Sequence, residues 1–132
     1  MNGYPNQPVI PVFAAGTVLT AAYTGNRFTL PVAGFQKLSL DIRYARGAAE
    51  AASKLFMQLD TSSDGGTTWQ NLVIDTTGAT SVITPREWEI GTTNNLNVLV
   101  DIAYKMMRVS LRESGVSTNV GNAQVTATLS GI

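Results

Sequence analysis

The chain reads as an all-β protein: a single antiparallel β-sandwich, jelly-roll or immunoglobulin-like, of about eight or nine strands with an extended N-terminal arm. Three observations predict this. Short apolar runs with a period of two recur at intervals of ~8–14 residues. Clusters of Gly, Asn, Thr and Ser separate them. The one stretch with helical composition, "ARGAAEAAS" (45–53), is too short for an independent helix and reads as a loop.

The elements follow in order. Residues 1–12, "MNGYPNQPVIPV", hold Pro5, Pro8 and Pro11, three of the five prolines. Proline fixes φ and restricts its predecessor, so the segment is expected to be extended and polyproline-like. Residues 1–16 are assigned to an arm and residues 17–132 to the sandwich. Tyr4, Val9, Ile10, Val12 and Phe13, spaced by Pro5, Pro8 and Pro11, make the arm apolar enough to lie on a neighbouring subunit. A frayed tail is the competing reading. "TVLTAAY" and "RFTLPV" flank "TGN" and predict a hairpin over 17–32. "QKLSLDIRY" places Leu38, Leu40, Ile42 and Tyr44 on one face and Lys37, Ser39, Asp41 and Arg43 on the other, a strand with one wet side. "KLFMQLD" places Leu55, Met57 and Leu59 on one face and Phe56 on the opposite one. The runs "WQNLVID", "SVITPREWEI", "NVLVDIAY", "MMRVSLRE" and "AQVTATLSGI" continue the pattern, with Pro85 marking an edge strand or a bulge.

Composition narrows the function. Nine basic and nine acidic residues balance to zero net charge, which argues against nucleic acid as a partner. Charged residues are 14% of the chain, a low value that favours association because little repulsion opposes it. The sequence contains neither cysteine nor histidine. Disulfides, thiolate nucleophiles and the commonest general base and metal ligand are therefore ruled out. The reading is a non-enzyme with no catalytic residues, no cofactor and no metal. There is no apolar run of membrane-spanning length and no basic-then-apolar leader pattern, so no membrane partner is expected and synthesis is placed in the cytoplasm.

The most patterned stretch is "TSSDGGTTW", 61–69, with Ser62, Asp64, Gly65, Gly66, Thr68 and Trp69 in fixed order. Asp64 is suited to accept backbone N–H groups of its own turn. Gly65 and Gly66 permit positive φ, and Trp69 offers a large anchor. The stretch resembles the Asp-box of sialidases and other propeller proteins, where it is a fold element away from the catalytic centre. It occurs once here, and the expected role is a braced hairpin. A calcium site using Asp60 and Asp64 is the alternative, with few carboxylates for that ion.

Other constellations are weaker. Glu87 and Glu89 share a strand face, as an acid pair would, but an edge strand commonly exposes such a pair to solvent. Trp69 and Trp88 could be stacking platforms for a sugar if both were exposed and coplanar. Arg43, Lys54, Lys105, Arg108 and Arg112 could line one sheet face. Met106 and Met107 fall on opposite faces.

The run from "KLSLDIRYARG" through "KLFMQLDTSSDGGTTWQNL" to "YKMMRVSLRESG" and "NAQVTATLSG", residues 36–132, resembles small structural β-domains of tailed-bacteriophage virions. The resemblance implies a virion location and, within that class, a capsid decoration (cement) protein on the outside of the head. It also implies the major capsid protein or other virion proteins as partners. A homo-oligomer, with a trimer favoured, is expected on the same ground. A tail, adaptor or head-fibre component and a carbohydrate-binding or adhesion module are the alternatives.

Overall fold

The computed structural model describes residues 7–72, 86–88, 93–102 and 106–131. Among these residues nine strands form two antiparallel sheets: β1 (Val9–Val18), β2 (Asn26–Pro31), β3 (Lys37–Ala45), β4 (Lys54–Ser62), β5 (Gln70–Asn71), β6 (Arg86–Trp88), β7 (Thr93–Asp101), β8 (Met106–Ser114) and β9 (Asn122–Ser130). The first sheet has the order β1-β9-β3-β7. In the second, β2-β8-β4 is extended by β5 and β6, which both pair with β4.

Alternation along each strand gives the sandwich its interior. Leu38, Leu40, Ile42 and Tyr44 of β3 and Ala123, Val125, Ala127 and Leu129 of β9 are buried against Leu55, Met57 and Leu59 of β4 and Met107, Val109 and Leu111 of β8. Each of these positions is followed by one turned outward, as a pleated strand with one buried face requires. The chain changes sheet at β1→β2, β2→β3, β3→β4, β6→β7, β7→β8 and β8→β9. That succession is the jelly-roll arrangement and decides between the two sandwiches the sequence allowed.

Two expectations are corrected. The hairpin over 17–32 does not form, because β1 and β2 belong to different sheets. The crossing lies at Leu19 and Thr20. The Leu19 N–H donates to the Gly121 carbonyl at 3.1 Å, while the Thr20 carbonyl accepts from Glu113 N–H at 2.8 Å. Buried Leu19 plugs the corner, and the "TGN" turn signal is a 3-10 turn at Tyr23–Gly25. The boundary at residue 16 also fails. Val9–Val18 is a strand paired with β9, and Val12 and Phe13 sink into this chain's own core. Proline is tolerated at Pro11 because β1 is an edge strand, where a missing N–H need break no ladder bond. Register shifts on either side of Phe13 bend the strand around the core.

The 45–53 stretch forms no helix; it spans the gap between β3 and β4, and so between the sheets.

Candidate functional site

The turn after β4 is built from the signature residues themselves. The Ser62 hydroxyl donates to Asp64 Oδ1 at 2.8 Å and accepts the Gly66 N–H at 2.9 Å. Asp64 Oδ1 also accepts the N–H groups of Thr68 at 2.9 Å and Thr67 at 3.1 Å. These bonds, the Thr68 amide first, hold the Asp64 carboxyl down to about 2. Gly65 and Gly66 have φ of +77° and +96°, a region that a Cβ disfavours. The turn returns the chain so that Gln70 and Asn71 pair with Thr61 and Asp60.

Asp60 and Asp64 do not form a calcium pair. Asp60 is buried on the outer face of β4, and its Oδ2 accepts both Nε (3.0 Å) and Nη2 (2.8 Å) of Arg108. Asp64 Oδ1 serves the turn. Among the described residues no group of three His, Cys, Asp or Glu side chains is placed to hold a metal.

Arg108 also lies 4.4 Å from the centre of the Trp69 ring, so the half-buried indole is stacked by a guanidinium on one face. This takes that face of the indole from a sugar. Phe56, the out-of-pattern aromatic of β4, is capped in the same way by Arg112 at 4.2 Å. The basic residues do not share one face. Arg108 and Arg112 lie on the outside of the second sheet, whereas Arg43 lies on the outside of the first. Met107 is buried in the core and Met106 is half-buried on the outer side.

The outer face of the first sheet is a largely polar surface. One row across it runs Val9, Thr128, Ser39, Leu99, and the next runs Pro11, Thr126, Asp41, Asn97. Val9 and Leu99 are 62% and 64% exposed and bracket the hydroxyl pair between them. Asp41, Asn97 and Thr126 of the second row, with Arg43 and Gln124, line an open groove of about 450 Å³ in this same face. Asn97 Nδ2 donates to Asp41 Oδ1 at 2.6 Å and to Ser39 Oγ at 2.8 Å, which fixes the groove wall.

Of the expected contact arm, Pro8, Val9 and Pro11 are exposed, Ile10 is half-buried, and Val12 and Phe13 are buried. Tyr4, Pro5, Pro85, Glu89 and Lys105 lie outside the described residues, as do the side chains of Glu87 and Trp88.

Two buried carboxylates went unnoticed in the sequence. Glu50 accepts the N–H groups of Ser117, Thr118 and Asn119, each at 2.7 Å. Glu113 accepts the Tyr44 hydroxyl at 2.6 Å and the Gly121 N–H at 2.7 Å. The parity of Val109, Leu111 and Glu113 on β8 was the available signal for the second, since it turns Glu113 inward.

No family model matches the chain, and no curated protein matches it. Among solved structures it is similar to a carbohydrate binding module (CBM6cm-2) of lichenase 5A from Cellvibrio mixtus, in complex with cellotriose. The identity is 11% and the TM-score 0.32, over 92% of this chain and 86% of that one. The chain is an all-β sandwich, and a likeness of that size says nothing of its ligand.

Proposed function

We propose that the chain is a non-enzymatic structural protein of a tailed-phage virion, a capsid decoration protein that seats the outer face of its first sheet across subunit boundaries of the head. The supporting observation is the Val9–Thr128–Ser39–Leu99 row: exposed apolar residues on both margins of an uncharged pair of hydroxyl side chains. Such a row loses little on desolvation, because it holds no charge to be stripped of water, and its aliphatic margins gain from burial. Binding that bridges subunits stabilises the assembled shell by mass action, since separated subunits lack the composite site. No chemical step is required.

The apolar contact assigned to the arm moves, in this reading, from Val12 and Phe13 to Val9 and its sheet neighbours. The test is cosedimentation with expanded heads assembled from the capsid protein encoded in the same genome. Wild type is expected to pellet with heads, and Val9→Glu, at an exposed position, is expected to remain in the supernatant.

The groove in this face favours a second reading, a carbohydrate-binding module. Asp41, Arg43, Asn97, Gln124 and Thr126 offer donors and acceptors suited to sugar hydroxyls. A glycan array separates the two readings: head binding without glycan binding supports the first, and the reverse supports the second.

A further inference from the structure

The edges of the two sheets are protected unequally. β1 is broken by Pro11, by Gly16 and by two register shifts. β2 has six residues, among them Arg27 and Pro31. The outer side of β4 is covered by β5 and β6. These are the ordinary devices that stop one sheet from adding to another. β7 has none of them. It runs nine residues, TNNLNVLVD, without proline and in unbroken register with β3. Its one ionisable residue, Asp101, is at the end and is held by Lys37 at 2.6 Å. Among the described residues nothing pairs with its outer side. Leu99 stands 64% exposed, and Leu96 and Val98 on the core side are only half-buried, so the described residues leave the sandwich open along this margin.

We infer that β7 is a homodimer interface, in which the β7 strands of two copies pair antiparallel about a two-fold axis at Asn97 and fuse two four-stranded sheets into one. The argument for a second copy is the strand's compatibility with its own reverse. An axis at Asn97, the midpoint of Thr93–Asp101, overlaps all nine residues. Leu96 then opposes Val98 of the second copy, twice, which closes the open margin with apolar side chains. Each Asp101 falls opposite Thr93 of the second copy, which sets the two carboxylates ~27 Å apart at ~3.4 Å per residue, beyond the ~8 Å screening length. A parallel pairing would bring the two carboxylates side by side. An isologous contact of this kind closes with two copies, in place of the trimer that the virion resemblance implies. The inference does not depend on the virion role.

Sedimentation equilibrium of the full chain tests it. Wild type is expected at about 28 kDa, twice the 14.0 kDa chain mass. Leu99→Lys is expected to sediment as the 14.0 kDa monomer with an unchanged far-UV spectrum. The chain lacks cysteine, so Asn97→Cys introduces a single thiol. Directly opposed residues have Cα atoms ~4.5–5.5 Å apart, within disulfide reach, and mild oxidation is expected to yield a covalent dimer. Thr29→Cys on β2, also exposed, is expected to yield none. Three results would overturn the inference: a wild-type monomer at high micromolar concentration, a species of three chains, or a dimer that persists in Leu99→Lys and leaves Asn97→Cys uncrosslinked.

Discussion

Tyr44 of β3 and Glu113 of β8 join the two sheets through one buried hydrogen bond, the Tyr44 hydroxyl donating to Glu113 Oε2 at 2.6 Å. Ser53 Oγ sits 3.0 Å from the same hydroxyl, and Glu113 Oε1 receives the Gly121 amide. The core therefore ends in a polar knot that ties the β3–β4 crossing to the β8–β9 loop. Burial first, and the bond to Glu113 second, push the phenol up to about 12, so it remains a donor throughout the physiological range.

Tyr44→Phe keeps the ring and removes the donor. A buried carboxylate that loses one of its partners costs about 1–3 kcal/mol. Urea unfolding is expected to show that loss with little change in the slope against denaturant.

Glu50 predicts an acid-sensitive loop. The Asn119, Ser117 and Thr118 amides hold its carboxyl below the usual carboxylate range. A group depressed in this way stabilises the fold above its unfolded value and loses that contribution as pH falls through the folded one. Glu50→Gln should therefore melt several degrees below wild type near neutral pH. The gap should close as pH falls below about 4.5, the ordinary value of the group. A gap that is constant with pH would contradict the assignment.

Arg108 is held between Asp60 and Trp69, and the three should behave as a unit. Arg108→Ala strands a carboxylate that is 1% exposed, a loss of about 3–5 kcal/mol for a broken buried pair. Arg108→Lys restores charge without the two-pronged geometry and should fall between wild type and alanine. Chemical denaturation gives the order, and Trp69 emission should shift to the red in the alanine variant.

Gly65 isolates backbone strain from packing. A Cβ built there meets no atom within 4 Å, yet φ is +77°. Gly65→Ala is expected to cost about 1–2 kcal/mol through conformation alone. A neutral result in thermal melts would show that the turn relaxes.

Much of this fold was legible because the period of two is a local signal. β3, β4, β8 and β9 each bury the residues that alternation selected, and the Ser62–Trp69 turn is closed by bonds spanning at most four residues. What escaped was non-local. "TGN" carries turn chemistry, but turn chemistry does not say whether the next strand joins the same sheet. The crossing is decided by Leu19 and by bonds to Gly121 and Glu113, about a hundred residues away. The prolines at Pro8 and Pro11 suggested a free arm, because composition cannot show that β9 lies alongside to receive Val12 and Phe13. The outer face of the first sheet was equally hidden: Val9 and Leu99 meet in one row only through Thr128 and Ser39.

The most direct measurement of the proposed role is cosedimentation of wild type, Val9→Glu and Thr126→Lys with expanded heads, beside a glycan array. Both substituted side chains lie on the outer face of the first sheet and away from β7, so the result does not depend on dimerisation. The account predicts that wild type pellets with heads, that both variants stay soluble and folded in the supernatant, and that no glycan is retained. Wild type that ignores heads, or variants that bind as well as wild type, would contradict it.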